Sequence, residues 1–294
     1  MAPTAALLIE AFTHEPLQGN GAGVVLLKAP AKAAWMQAVA GSLRQSETAF
    51  LWRDGSGSWR LRWFTPSCEV PLCGHATLAA TLGLHHWGLL ATGAGLKLAT
   101  RSGPLPVAVT TDHPPQVSLT LPSGELVAES AVPGSLAELL GSAPLGYWSS
   151  ALGYRVALMD GRFPLADVAV DSGALRGADR HGLVVMQAAT DATPHLGGVP
   201  CDYQLRFFAP GLGIDEDPVT GSAHALVAPW WMERLQRSCV RGWQPSWRRG
   251  GMLCEAVTPG FVRLSGTGHL LWDGQIHAPG CGHDGEAWDV CTSS

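Results

Sequence analysis

The chain has 294 residues, 46% hydrophobic and 15% charged, with a formal net charge of -5. At about 150 residues per domain, that length predicts two compact domains. The acidic balance, without a basic stripe, argues against a nucleic-acid binder, and no apolar run approaches the ~20 residues of a membrane span.

Residues 1–9 lack the charged start and cleavage site of a signal peptide. Seven cysteines, an odd number with no CxxC pair, read as free thiols in a reducing cytosol. The expected location is cytoplasmic. The twelve Trp have no regular spacing and are read as packing.

In chain order, residues 5–12 read as a buried strand and 21–27 as a second. Residues 31–43 read as an amphipathic helix after Pro30. Residues 46–51 and 59–64 read as strands, with Trp59, Leu61 and Trp63 alternating against Arg60 and Arg62 as on a half-exposed strand. Residues 65–72 form a loop. Residues 74–87 form a helix of small residues, suited to threading through a sheet or barrel. Residues 97–101, 105–110 and 116–121 are strands, and 133–141 a short helix. The pattern then restarts, with strands at 155–159, 182–188 and 203–208. An acidic loop from Gly213 leads into a helix at Gly221. Strands at 250–255, 261–265 and 269–276 close the chain, and 277–294 reads as a poorly ordered tail. The expected domains are 1–125, with the possible addition of a C-terminal strand, and 126–276.

Two stretches are near copies. Leu61-Arg62-Trp63-Phe64-Thr65-Pro66 matches Leu205-Arg206-Phe207-Phe208-Ala209-Pro210. Each is followed by a loop and a small-residue helix, starting at Gly74-His75-Ala76 in one half and Gly221-Ser222-Ala223 in the other. Helix N-termini carry unpaired N–H groups that hold anions. Two such ends facing one cleft would suit a small carboxylate ligand. The alternative is that the repeat is architecture alone, with the loops serving as caps.

With Glu10-Ala11-Phe12, Gly19-Asn20, Ser46-Glu47-Thr48-Ala49-Phe50, residues 69–80 and Glu216 to His224, the chain resembles the phenazine biosynthesis PhzF-like family. Its flavour is closest to the animal-type "phenazine biosynthesis-like domain" subgroup. That family shares the diaminopimelate epimerase fold. The resemblance implies an α+β protein of two pseudo-symmetric, barrel-like, mostly antiparallel domains, each around a central helix, with the site in the cleft. It implies a homodimer and no metal or organic cofactor. Its well-understood member isomerises trans-2,3-dihydro-3-hydroxyanthranilate through one glutamate, which matches Glu47. The site histidine matches His75, the aspartate Asp217 and the serine Ser222. Gly21, where many relatives have Pro, the Trp- and Pro-bearing segment 240–247, and the tail depart from the pattern.

On this reading Glu47 is the acid/base, because a carboxyl in an apolar cleft gains the proton affinity that role needs. Its bland alternative is a surface glutamate. His75 donates a proton or a hydrogen bond, or is a satisfied structural histidine. Asp217 accepts from the substrate, caps the Ser222 helix, or both. Gly74, Gly221 and Ser222 bind the carboxylate. Ser222 and His224 stand only two apart on a helix, against a hydrolytic pair. Cys73 has no thiol counterpart in the second loop, which disfavours a two-thiol racemase and makes it structural. Cys68, Cys73 and His75 lack closed zinc spacing. The expected function is a cofactor-independent isomerase of a small carboxylate. An amino-acid epimerase or a non-enzymatic binding module is the alternative.

Overall fold

The computed structural model describes residues 3–178 and 182–278. Of the expected tail, 279–294 lies outside these residues. The chain divides into two compact units, one with residues up to Thr120 and from Ser265 on, the other Leu121–Leu264. No helix among the described residues is long and apolar enough to cross a membrane.

The chain opens with strands Thr4–Ala11 (β1) and Asn20–Leu26 (β2), helix Ala33–Leu43 (α1), and strands Glu47–Arg53 (β3), Trp59–Phe64 (β4) and Glu69–Val70 (β5). Helix Gly74–His86 (α2) and strands Gly95–Thr100 (β6), Gly103–Asp112 (β7) and Pro115–Pro122 (β8) follow. Next come Leu126–Ala128 (β9), Gly134–Leu140 (α3), Gly146–Ser150 (β10), Tyr154–Leu158 (β11), Ser172–Ala178 (α4) and Gly182–Ala188 (β12). Tyr203–Ala209 (β13), Ile214–Asp217 (β14), Gly221–Leu235 (α5), Cys239–Gln244 (β15), Gly250–Thr258 (β16) and Phe261–Ile276 (β17) complete the chain.

The fold is α+β and mostly antiparallel. In the first unit the hydrogen-bonded ring runs β17, β1, β2, β3, β4, β6, β7, β8 and returns to β17. The β2–β3 and β4–β6 pairs are parallel. The second unit repeats this order with β9, β10, β11, β12, β13, β15 and β16, with β11–β12 and β13–β15 parallel. A short extra strand lies on each repeat copy, β5 on β4 and β14 on β13.

Each barrel holds one helix. Residues 74–84 of α2 are all buried, against β1, β2, β3 and β7. Small side chains make this possible: a Cβ on Gly83 would press on Val24 at 3.1 Å and Leu7 at 3.3 Å. Helix α5 packs on β13, β15, β16 and β9, with Ala223, Ala225 and Ala228 fully buried. The outer faces are covered separately. The α1 face encloses Met36, Phe50, Trp52 and Phe64. The α3 and α4 face encloses Leu136, Leu175, Val185 and Phe208.

Several expectations need correction. The acidic loop after Gly213 is strand β14, and residues 69–70 of the first loop are strand β5. Buried ion pairs explain both. The Arg62 guanidinium grips Glu69 through two bonds of 2.7 Å, and Arg206 grips Glu216 in the same way. Such forked pairs need the neighbouring strand in register. Arg62 is therefore buried, so β4 is not half-exposed. The expected strands 261–265 and 269–276 are one strand. Gly266 and Gly268 do not break it because side-chain-free positions are required there, against Phe12 and the Glu10 carbonyl. Strands β9, β10 and β15 and helix α4 were not anticipated.

Candidate active site

The centre of the first unit's site is the N-terminus of α2. Cys73 is the N-cap in extended backbone and gives no side-chain cap bond. The first turn thus keeps N–H groups for other partners. Parallel pairing sets Ala22 beside Glu47, which brings the start of β3 up to the helix end. There the Glu47 Oε2 lies 3.1 Å from His75 Nε2, with the histidine side chain 5% and the glutamate 17% exposed. The contact has ion-pair distance but not the alignment of a good hydrogen bond. Glu47 is the member that reaches solvent.

On the other ring edge, His75 Nδ1 is 3.2 Å from Asn20 Nδ2 and 3.5 Å from Cys73 Sγ. The Ser46 hydroxyl donates to Asn20 Oδ1 at 3.0 Å, so the Asn20 amide turns its N–H toward the imidazole. In the neutral ring, Nδ1 then accepts and the proton sits on Nε2, facing Glu47.

Burial pulls the His75 imidazolium down, but the charges of Cys73 and Glu47 outweigh it and hold His75 well above its ordinary value. Burial, with the Glu47 charge, pushes the Cys73 thiol up to about 11. At neutral pH Cys73 is therefore an uncharged thiol, which leaves the Glu47 carboxylate as the neighbour that raises His75. A thiol so held is a poor base and a poor nucleophile.

Glu47, Cys73 and His75 each bring a donor atom within 4.8 Å of the others, so metal binding must be weighed. The sulfur addresses Nδ1 and the carboxylate Nε2, on different edges of the ring. One ion in line with either ring lone pair is poorly placed to take both. The thiol also resists the deprotonation that metal ligation requires. The line Cys73–His75–Glu47 suits proton handling better than a metal centre.

Asp217, Gly221 and Ser222 belong to the second unit. The Asp217 carboxylate is buried and accepts from the Thr220 hydroxyl at 2.6 Å. Gln244 clamps the same turn: its Oε1 accepts from Thr220 N–H at 2.9 Å, and its Nε2 donates to the Asp217 carbonyl at 2.5 Å. Ser222 Oγ is 3.1 Å from the Tyr154 hydroxyl. His224 turns into the core, 2.8 Å from the Tyr203 hydroxyl. Burial pushes it down to about 3, so it is neutral and takes no part with Ser222. Thus the expected residues form two clusters, Glu47 with Gly74 and His75, and Asp217 with Gly221 and Ser222. Sequence reasoning missed Asn20, Ser46, Tyr154 and Gln244 as members. The Gly19-Asn20 and Ser46-Glu47 pairs carry the signal for the first two.

A family model described as phenazine biosynthesis-like protein matches residues 9–274. The chain belongs to the phenazine biosynthesis-like (PhzC-PhzF) family. An uncharacterized isomerase of Pseudomonas aeruginosa is 36% identical over 270 residues, 92% of this chain and 97% of the relative. A mouse phenazine biosynthesis-like domain-containing protein is 32% identical over 287 residues, 92% of this chain and 98% of its own. The crystal structure of a PhzF-family protein from Enterococcus faecalis is 31% identical, covers 94% of this chain and 100% of that one, and superposes with a TM-score of 0.82. Family membership thus agrees with the two repeat loops and with the barrels built around α2 and α5.

Proposed function

We propose that this family isomerase moves a proton between carbons of a small carboxylate substrate, with Glu47 as its single acid/base. The observation that carries the reading is the 3.1 Å contact between Glu47, partly open to solvent, and His75, buried beneath it. The Glu47 carboxylate takes a proton from carbon, and the electron pair left behind spreads into the substrate's conjugated acid group. The resulting Glu47 carboxyl, partly open to solvent and so able to exchange its proton, delivers a proton to a second carbon on the same face. The His75 ring, 3.1 Å from the Glu47 carboxylate, orients it during the transfer. Asn20 and Ser46 fix the ring, and so are positioning residues.

Substrate anchoring is assigned to the N–H groups at Gly74 and Gly221 and to the Ser222 hydroxyl, because helix ends hold anions. The reading includes no metal or organic cofactor, and a homodimer as the assembly. An epimerase working by two opposed bases is less well supported. Cys73, the nearest second candidate, stays a thiol to about pH 11.

The experiment is solvent exchange in deuterated buffer with hydroxyanthranilate-like substrates, followed by mass spectrometry. Wild type should incorporate deuterium, and Glu47→Gln should not. Equal incorporation by the two would sink the proposal. Cys73→Ser should keep most of the exchange, whereas a two-base epimerase would lose it.

A further inference from the structure

A cavity of about 610 Å³ opens within the second unit, and Glu47, His75, Asp217 and Ser222 are not among its walls. Its size falls in the range of small-molecule sites, roughly 300–1,000 Å³. Its floor is a row across three neighbouring strands. Gln187 on β12 pairs with Gln204 on β13, and Gln204 pairs with Trp243 on β15. Gln187 is 2% exposed, and its Oε1 has no hydrogen-bond partner. A buried acceptor left in that state is costly.

The first unit shows what the fold does without such a site. There the matching row is Trp52, Arg60 and Ala99. Trp52 is closed into the apolar cluster under α1, and Arg60 turns to Asp54 at 2.8 Å. The second unit has replaced a packed indole with a carboxamide at a cavity wall. Core packing does not account for that exchange.

The wall chemistry limits the ligand. A glutamine carboxamide presents an acceptor beside a donor, the complement of an amino group next to a ring nitrogen. Trp243 and Trp247 line the space, and indoles are groups on which a flat ring stacks. Asp167 and Arg249 at the wall have opposite charges, and the third charged wall residue, Arg206, is already paired with Glu216, so the lining calls for no net charge on the ligand. We propose that this cavity binds a neutral, amino-substituted heteroaromatic of the adenine kind, with Gln187 reading its amino edge.

The test is calorimetric titration of the full chain with adenosine and with purine riboside, which lacks the amino group. Adenosine should bind, and purine riboside about tenfold more weakly. Gln187→Leu should weaken adenosine about tenfold. Trp247→Ala should weaken it as well. Trp247 is 70% exposed, so that variant keeps the test alive if the buried substitution fails to fold. Glu47→Gln should bind adenosine like wild type, which separates this site from the isomerase reading. No adenosine binding at millimolar concentration, or binding indifferent to both Gln187→Leu and Trp247→Ala, overturns the proposal.

Discussion

The two repeat copies have the same frame and opposite chemistry. Phe64 and Phe208 occupy matching places in the repeat stretches, and their cross-strand partners are Thr48 and Leu183. The residue one step earlier is Glu47 in the first unit and Gly182 in the second. A Cβ on Gly182 would fall on the Phe207 ring, with Tyr154 at 3.2 Å. No acid can stand there without rebuilding the wall. Tyr154 instead reaches Ser222, as Glu47 reaches His75. The helix ends differ in the same sense: His75 has a carboxylate beside it that raises its proton affinity, whereas His224 is neutral in the core. The two copies share a frame, and the acid stands in one of them.

The largest expected effect tests the histidines. His224 has a folded value of about 3 against an unfolded value near 6.5. The unfolded chain therefore binds the extra proton first. The His224 contribution is full above about pH 6.5 and declines as pH falls toward 3, by roughly 4–5 kcal/mol in all. His75 has the opposite sign, stabilising at low pH and losing its contribution as pH rises through its elevated folded value. Urea melts of wild type and His224→Gln at pH 7, 5 and 4 should show a flatter acid slope in the variant.

Next in size is Glu47→Gln, which should lower deuterium exchange by at least about 10³-fold, about 4 kcal/mol. Ser222→Ala, in the copy without an acid, should lose far less. The buried arginines follow. Arg206→Met strands Glu216 and also removes the donor to the Val168 carbonyl, so it should cost about 3 kcal/mol in a denaturant melt. Arg62→Met should cost less, because Arg101 remains 3.3 Å from Glu69. Smallest is Gly182→Ala, expected to destabilise by about 2 kcal/mol through overpacking. A neutral result would show that an acid could be installed there, and would break the asymmetry.

Much of the frame was readable from residues alone. The strand at 182–188 and the small-residue helix from Gly74 follow from apolar runs and turn signals, because those patterns act locally. Strand β14 was not readable, since Asp215, Glu216 and Asp217 have no strand propensity. A partner across the sheet, Arg206, decides it. Strand β15 is hidden for a similar reason: Arg241, Gly242 and Gln244 look like a loop until Cys239–Gln244 is paired with β16. At the site, Glu47 and His75 were named from motif resemblance. Asn20 lies 55 positions from His75, a distance that no local pattern spans. The cavity row of Gln187, Gln204 and Trp243 is likewise a property of register.

Strand β17 runs antiparallel to β1, with Thr4 beside Ile276. The first barrel therefore cannot close before β17 has been made, because that strand lies between β8 and β1. The second unit, Leu121–Leu264, is contiguous and emerges earlier. Vectorial synthesis thus favours the later-numbered unit maturing first. The acid-bearing pocket beside β2 and β3 would be assembled last, after its acid-free sibling has set.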